Sequence, residues 1–106
     1  MKQISATELK AKMDTGEDVQ LIDVRQPDEH AFAHIEQGKL IPMNEIMSRM
    51  NELDQTRETI VYCRSGVRSA RVIEALQQAG YTGSLVNLAG GILAWAREVD
   101  PSIPQY

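Results

Sequence analysis

A small α/β fold, with a parallel β-sheet flanked by helices on both faces, is predicted by three observations on this sequence. Short apolar runs alternate with amphipathic helical stretches along the chain, the order that feeds a parallel sheet through helical crossovers. The clearest runs, Val19-Gln20-Leu21-Ile22-Asp23-Val24 and Thr59-Ile60-Val61-Tyr62, are mostly continuous rather than alternating in polarity, as strands covered on both faces are. A length of 106 residues suits one domain, enough to bury a single core without metal or disulfide staples.

Each element has its own signal. Ser5-Ala6-Thr7-Glu8 has the spacing of a capping box and opens a helix through Met13 that stops at Gly16. The strand 19–24 follows. Pro27, with Asp28 and Glu29 behind it, makes a favourable first turn for a short helix reaching about Ala33. Leu40-Ile41 is a short strand, and residues 44–53 read as an amphipathic helix with Ile46, Met50 and Leu53 on one face. After the strand 59–62, residues 69–79 place Val72, Ile73, Leu76 and Ala79 on one helical stripe that ends at Gly80. Residues 84–88 form a last strand, Gly90-Gly91 a tight turn and residues 92–99 a closing helix. Residues 100–106, with two prolines, read as an irregular tail. There is no repeat, low-complexity tract or linker.

Composition narrows the function classes. A single cysteine excludes an intramolecular disulfide and any multi-cysteine metal site, as expected of a reducing compartment. The start Met1-Lys2-Gln3-Ile4-Ser5 has no signal-peptide apolar stretch, and no run approaches a membrane span, so a cytoplasmic location is expected. A formal net charge of −4 argues against nucleic acid or an anionic membrane as partner.

Against that acidic background, Cys63 ends the second strand and opens Cys63-Arg64-Ser65-Gly66-Val67-Arg68, with a helical pattern directly after. The carboxyl end of a strand running into a helix N-terminus collects partial positive charge. A thiol that titrates near roughly 8.5 when free is therefore favoured as the anion there. Arg64, Arg68 and Arg71 add permanent charge. The plain alternative, a small buried hydrophobe, has no use for such neighbours. Cys63 is predicted to be a nucleophile.

In these pieces the chain resembles a single-domain rhodanese, of the sulfurtransferase family. The match covers about residues 4–98 through Asp23-Val24-Arg25, Pro27 and Glu29, His34-Ile35, Ile41-Pro42, Val61-Tyr62-Cys63-Arg64-Ser65-Gly66, Arg68-Ser69, Gly80-Tyr81, and Leu88-Ala89-Gly90-Gly91 with Trp95. The resemblance implies that Cys63 takes a sulfane sulfur from thiosulfate or a related anion and holds it as a persulfide for cyanide or a thiol. The amides of Arg64, Ser65, Gly66, Val67 and Arg68 would form the substrate cradle, with the Arg64 and Arg68 side chains at its rim. Asp23, Arg25 and Ser69 take supporting roles, with Asp23 holding neighbouring loops together. Neither metal nor organic cofactor is required. Small anionic donors are the expected partners, with a protein thiol as the alternative acceptor.

The loop separates this reading from its enzyme rival. Four residues lie between Cys63 and Arg68, where a cysteine phosphatase or arsenate reductase of the cysteine–arginine kind needs five to wrap a tetrahedral oxyanion. A shorter ring of N–H donors, curled by Gly66, suits one terminal sulfur better. The rival from another class is a binding or sulfur-relay module acting on a protein partner. His30 and His34 have the four-residue spacing of metal ligands but lack a third, and His34 is expected to hydrogen-bond locally. Ala33 and Glu36-Gln37 replace the glycine and the Pro-Gly usual around His-Ile in the family, which implies a different path from His34 to Ile41.

Overall fold

The computed structural model describes residues 1–106. Its elements are β1 (Gln3–Ile4), α1 (Ala6–Asp14), β2 (Val19–Asp23), α2 (Pro27–Phe32), β3 (Lys39–Leu40), a 3₁₀ turn (Met50–Glu52), β4 (Glu58–Tyr62), α3 (Val67–Gln78), β5 (Leu85–Leu88) and α4 (Gly91–Glu98). The five strands form one sheet in the order β1-β5-β4-β2-β3, every pair parallel. The α/β expectation holds.

Because side chains alternate across a strand, the buried residues divide into two layers. Leu21, Ile60, Tyr62, Val86 and Leu88 meet Leu9 of α1 and Ile92 and Trp95 of α4 in one. Ile22, Val61, Cys63 and Leu85 meet Val72, Ile73 and Leu76 of α3, with Ile46 and Leu53, in the other. Ser5 caps α1 as its spacing predicts: its Oγ accepts from the Glu8 N–H at 3.1 Å, and Glu8 Oε1 from the Ser5 N–H at 3.0 Å.

Three expectations change. Residues 44–53 are not an α-helix but a chain of turns ending in the 3₁₀ piece. Most of their local hydrogen bonds close over three residues, as in Glu45 N–H to Pro42 O and Leu53 N–H to Met50 O. Ile46 and Leu53 are still buried, so the apolar spacing identified the inward face while the tighter winding brought it onto the sheet. The helix α3 begins at Val67 rather than residue 69 and leaves Ala79 exposed. β1 escaped notice because two residues carry no period.

The topology places the site. β2 passes through α2 to β3 on one side, and β4 passes through α3 to β5 on the other. The crevice where such connections diverge, beyond the carboxyl ends of the strands, is where open α/β sheets bind ligands. Asp23 and Tyr62, partners in the β2–β4 register, end at that crevice, and Cys63 follows.

Candidate active site

Cys63 leaves β4 beneath the loop that becomes α3, and it is only 1 % exposed. Gly66 is the N-cap residue at φ +102°, a backbone state that glycine adopts without strain. Its curl turns the loop amides inward. The Gly66 N–H lies 3.1 Å and the Ser69 N–H 3.4 Å from Sγ. The Ser69 hydroxyl is 3.4 Å from the same sulfur. Burial pushes the thiol pKa up, but Ser69 and the amides of Ser69, Gly66 and Ser65 outweigh it and leave the pKa below the ordinary cysteine value. Of the five amides expected to form the cradle, that of Gly66 bonds the sulfur, and the Ser69 amide, from outside that set, joins it; such fixed dipoles do not reorganise as charge develops.

Two residues that sequence reasoning missed hold the cradle in place. Asn87, 4 % exposed in the middle of β5, accepts from Ser69 Oγ at 2.6 Å and donates through Nδ2 to Gly66 O at 3.2 Å. Ser69 has one proton, so while it serves Asn87 its oxygen faces Sγ as an acceptor, and it can turn to donate when the thiol ionises. The signal for Asn87 was a lone amide in the apolar run Leu85-Val86-Asn87-Leu88. Gly91 is the second. The N–H groups of Ile92 and Leu93 at the start of α4 bond the carbonyls of Cys63 at 2.9 Å and Arg64 at 3.2 Å. A Cβ on Gly91 would overlap both carbonyls. Gly90-Gly91 is therefore more than a turn, because it lets a helix N-terminus grip the Cys63 loop.

The supporting residues lie beside this loop. Arg25 is fully buried, and its five N–H donors meet five acceptors: Asp23 Oδ1 at 2.9 Å, Asp23 Oδ2 at 2.7 Å, Ala33 O at 2.6 Å, Glu29 O at 3.4 Å and the Tyr106 hydroxyl at 2.7 Å. Burial raises the Asp23 pKa, yet the bonds from Arg25 and His30 prevail and keep the carboxyl below its usual range. His30 Nδ1 lies 2.9 Å from Asp23 Oδ2. His34 turns to His30 O at 2.9 Å, the local hydrogen bond expected of it, with the two rings stacked.

The two rim arginines behave differently. Arg68 forms a two-point pair with Glu29, at 2.7 and 2.8 Å. Arg64 is exposed, bonds the Tyr106 backbone oxygen and lies over its ring at 5.2 Å. The tail is irregular as expected but docked, with Ile103 packed on the core and Tyr106 beside the site. None of the three surface clefts is lined by Cys63 or its loop.

The rhodanese-like domain family model matches residues 5–98. The chain is 40 % identical to a sulfurtransferase of Allochromatium vinosum over 97 % of this chain and 95 % of that one. It is also 40 % identical to a probable adenylyltransferase/sulfurtransferase, MoeZ, of Mycobacterium tuberculosis, covering 97 % of this chain but spanning only 26 % of the longer relative. Among solved structures, a rhodanese-like domain protein of Staphylococcus aureus superposes with a TM-score of 0.85 at 36 % identity, covering 100 % and 99 % of the two chains.

Proposed function

The chain belongs to the rhodanese-like domain family, and from that premise we propose that it is a sulfurtransferase that carries sulfane sulfur as a persulfide on Cys63. The observation that supports this most directly is the convergence of the Gly66 and Ser69 amides and the Ser69 hydroxyl on one sulfur. With thiosulfate as donor, the Cys63 thiolate attacks the outer sulfur, the S–S bond breaks and sulfite leaves with the bonding pair. The product Cys63–S–S⁻ keeps its charge on the terminal sulfur, where the amides of Arg64 through Arg68 hold it. A nucleophile then takes that sulfur and returns the thiolate; cyanide leaves as thiocyanate. These are the two halves of a ping-pong reaction.

Intact mass tests the first half. Incubation with thiosulfate is expected to add about 32 Da, one sulfur, at Cys63 and cyanide to remove it, with no gain in Cys63→Ser. Because the thiol pKa is lowered, alkylation of Cys63 is expected to persist into more acid solution than that of a free cysteine. A wild-type protein that stays unmodified while its thiol still alkylates would refute the reading. A protein thiol as acceptor is the second reading, favoured by the resemblance to a segment of a longer chain whose name joins adenylyl and sulfur transfer. It predicts faster discharge of the loaded persulfide to a partner thiol than to cyanide.

A further inference from the structure

At the switch-point crevice, one carboxylate is saturated. Glu29 Oε1 accepts from the Gln26 N–H at 3.0 Å and Arg68 Nη1 at 2.7 Å; Oε2 accepts from Arg68 Nη2 at 2.8 Å and the Tyr106 hydroxyl at 2.7 Å. Capping its own helix takes one of those four bonds. The other three come from residues 39 and 77 positions away, which joins the first turn of α2 to the first turn of α3 across the mouth. Tyr106 is itself held by Arg25 Nη1. The Arg68 charge pins Glu29 at a pKa of about 2, so the pair is intact at any working pH. Arg25 is matched by Asp23 and Arg68 by Glu29. Arg64, exposed at the rim, has no carboxylate side chain as partner and donates instead to the Tyr106 backbone oxygen.

We propose that Glu29, braced by Tyr106, is a specificity-determining residue: by holding Arg68 in a neutral pair it sets the site against a dianionic sulfur donor and in favour of a hydropersulfide carrying at most one negative charge. This rests on the sulfurtransferase reading. A dianion approaching a thiolate meets repulsion that a free guanidinium would offset, whereas a paired one offsets little at range. The amide ring remains, and it is matched to a single terminal sulfur. For such a donor the Cys63 thiolate attacks the terminal sulfur of R–S–S–H, the S–S bond breaks, RS⁻ departs and Cys63–S–S–H remains.

The test is the ratio of kcat/KM for thiosulfate to kcat/KM for the hydropersulfide of 2-mercaptoethanol. Glu29→Gln keeps an oxygen for the Gln26 cap and removes the charge. It is expected to raise the ratio about tenfold, chiefly through a lower KM for thiosulfate, and Glu29→Gln with Arg68→Gln is expected to cancel the gain. Tyr106→Phe, which keeps the ring but removes one of the two bonds to Glu29 Oε2, is expected to move the ratio in the same direction by a smaller factor, and it carries the test if Glu29→Gln does not fold. A folded Glu29→Gln, or failing that Tyr106→Phe, with a ratio unchanged or lower would overturn the proposal while wild-type loading still stands. Loading of Cys63 by neither donor in the wild type would bring down the sulfurtransferase reading and this one together.

Discussion

The two ends of the sheet use polar groups in opposite ways. At the amino ends of the strands lies the largest cleft, about 380 Å³, edged by Met13, Glu17, Gln20, Gln37, Lys39 and Arg57. Its charges are paired in solvent: Arg57 meets Asp18 at 2.9 Å with side chains 34 % and 75 % exposed. At the carboxyl ends there is no comparable hollow, yet Asp23, Arg25, Ser69 and Asn87 are buried there with partners for their polar groups. Desolvated groups hold a geometry that solvated ones do not, since each lost partner costs the full burial penalty. The proposed site follows convergent donors rather than empty volume.

Making the same change at both ends is the strongest way to break that comparison, and its large half comes first. Asp23→Asn preserves size but leaves the Arg25 guanidinium without its counter-charge in a site where both side chains are fully buried. A loss of about 4 kcal/mol is expected by chemical denaturation at neutral pH. The sign with pH follows from the lowered Asp23 pKa. The ionised carboxyl stabilises the fold above its ordinary value of 3.8, and that contribution fades as pH falls through the lower folded value. The gap between wild type and variant should therefore narrow in acid. A gap below about 1 kcal/mol at neutral pH would show that the buried pair is no different from a surface one.

The legibility of the sequence divides along the same line. Cys63, Gly66 and the loop length could be read because their chemistry depends on neighbours a few positions away, and the strands because fully covered strands are apolar throughout. The pairing of Glu29 with Arg68, of Ser69 with Asn87 and of Arg25 with Tyr106 could not, since residues 39, 18 and 81 positions apart leave no local pattern. The ion pair of Asp23 is legible from its place at a strand end, whereas the sequence offers Glu29 as a first-turn acid and a piece of the family pattern but not as the partner of Arg68. The segment 44–53 failed for a different reason. Spacing of Ile46, Met50 and Leu53 reports which side faces inward, and a run of tight turns satisfies it as well as an α-helix does.

A smaller effect is expected where the catalytic end depends on backbone contact rather than charge. Gly91 has φ +58°, and a methyl there would overlap the Arg64 carbonyl and come within 2.5 Å of that of Cys63. Strain of the left-handed backbone and forced displacement of the loop together argue for about 3 kcal/mol lost in Gly91→Ala. Displacement would also move the Gly66 and Ser69 amides from Cys63 Sγ, so sulfur transfer should fall more steeply than stability does. Activity measured well below the unfolding midpoint separates the two. Full activity in a destabilised but folded variant would mean that the grip of α4 matters to the fold and not to the cradle.

The smallest effect belongs to the amino end. Asp18→Asn mirrors Asp23→Asn in shape and charge, but Asp18 is 75 % exposed, and the Arg57 guanidinium retains its bond to Val19 O at 2.9 Å when the carboxylate is lost. Water replaces the missing partner at once, and salt already screens the pair. The expected change is within about 0.5 kcal/mol, with kcat/KM for sulfur transfer at the wild-type value. Raising the salt concentration should shrink even that difference, while the Asp23→Asn loss should hardly respond. A loss of more than about 1 kcal/mol from Asp18→Asn would place structural weight on the large cleft and remove the contrast between the two ends on which the other predictions depend.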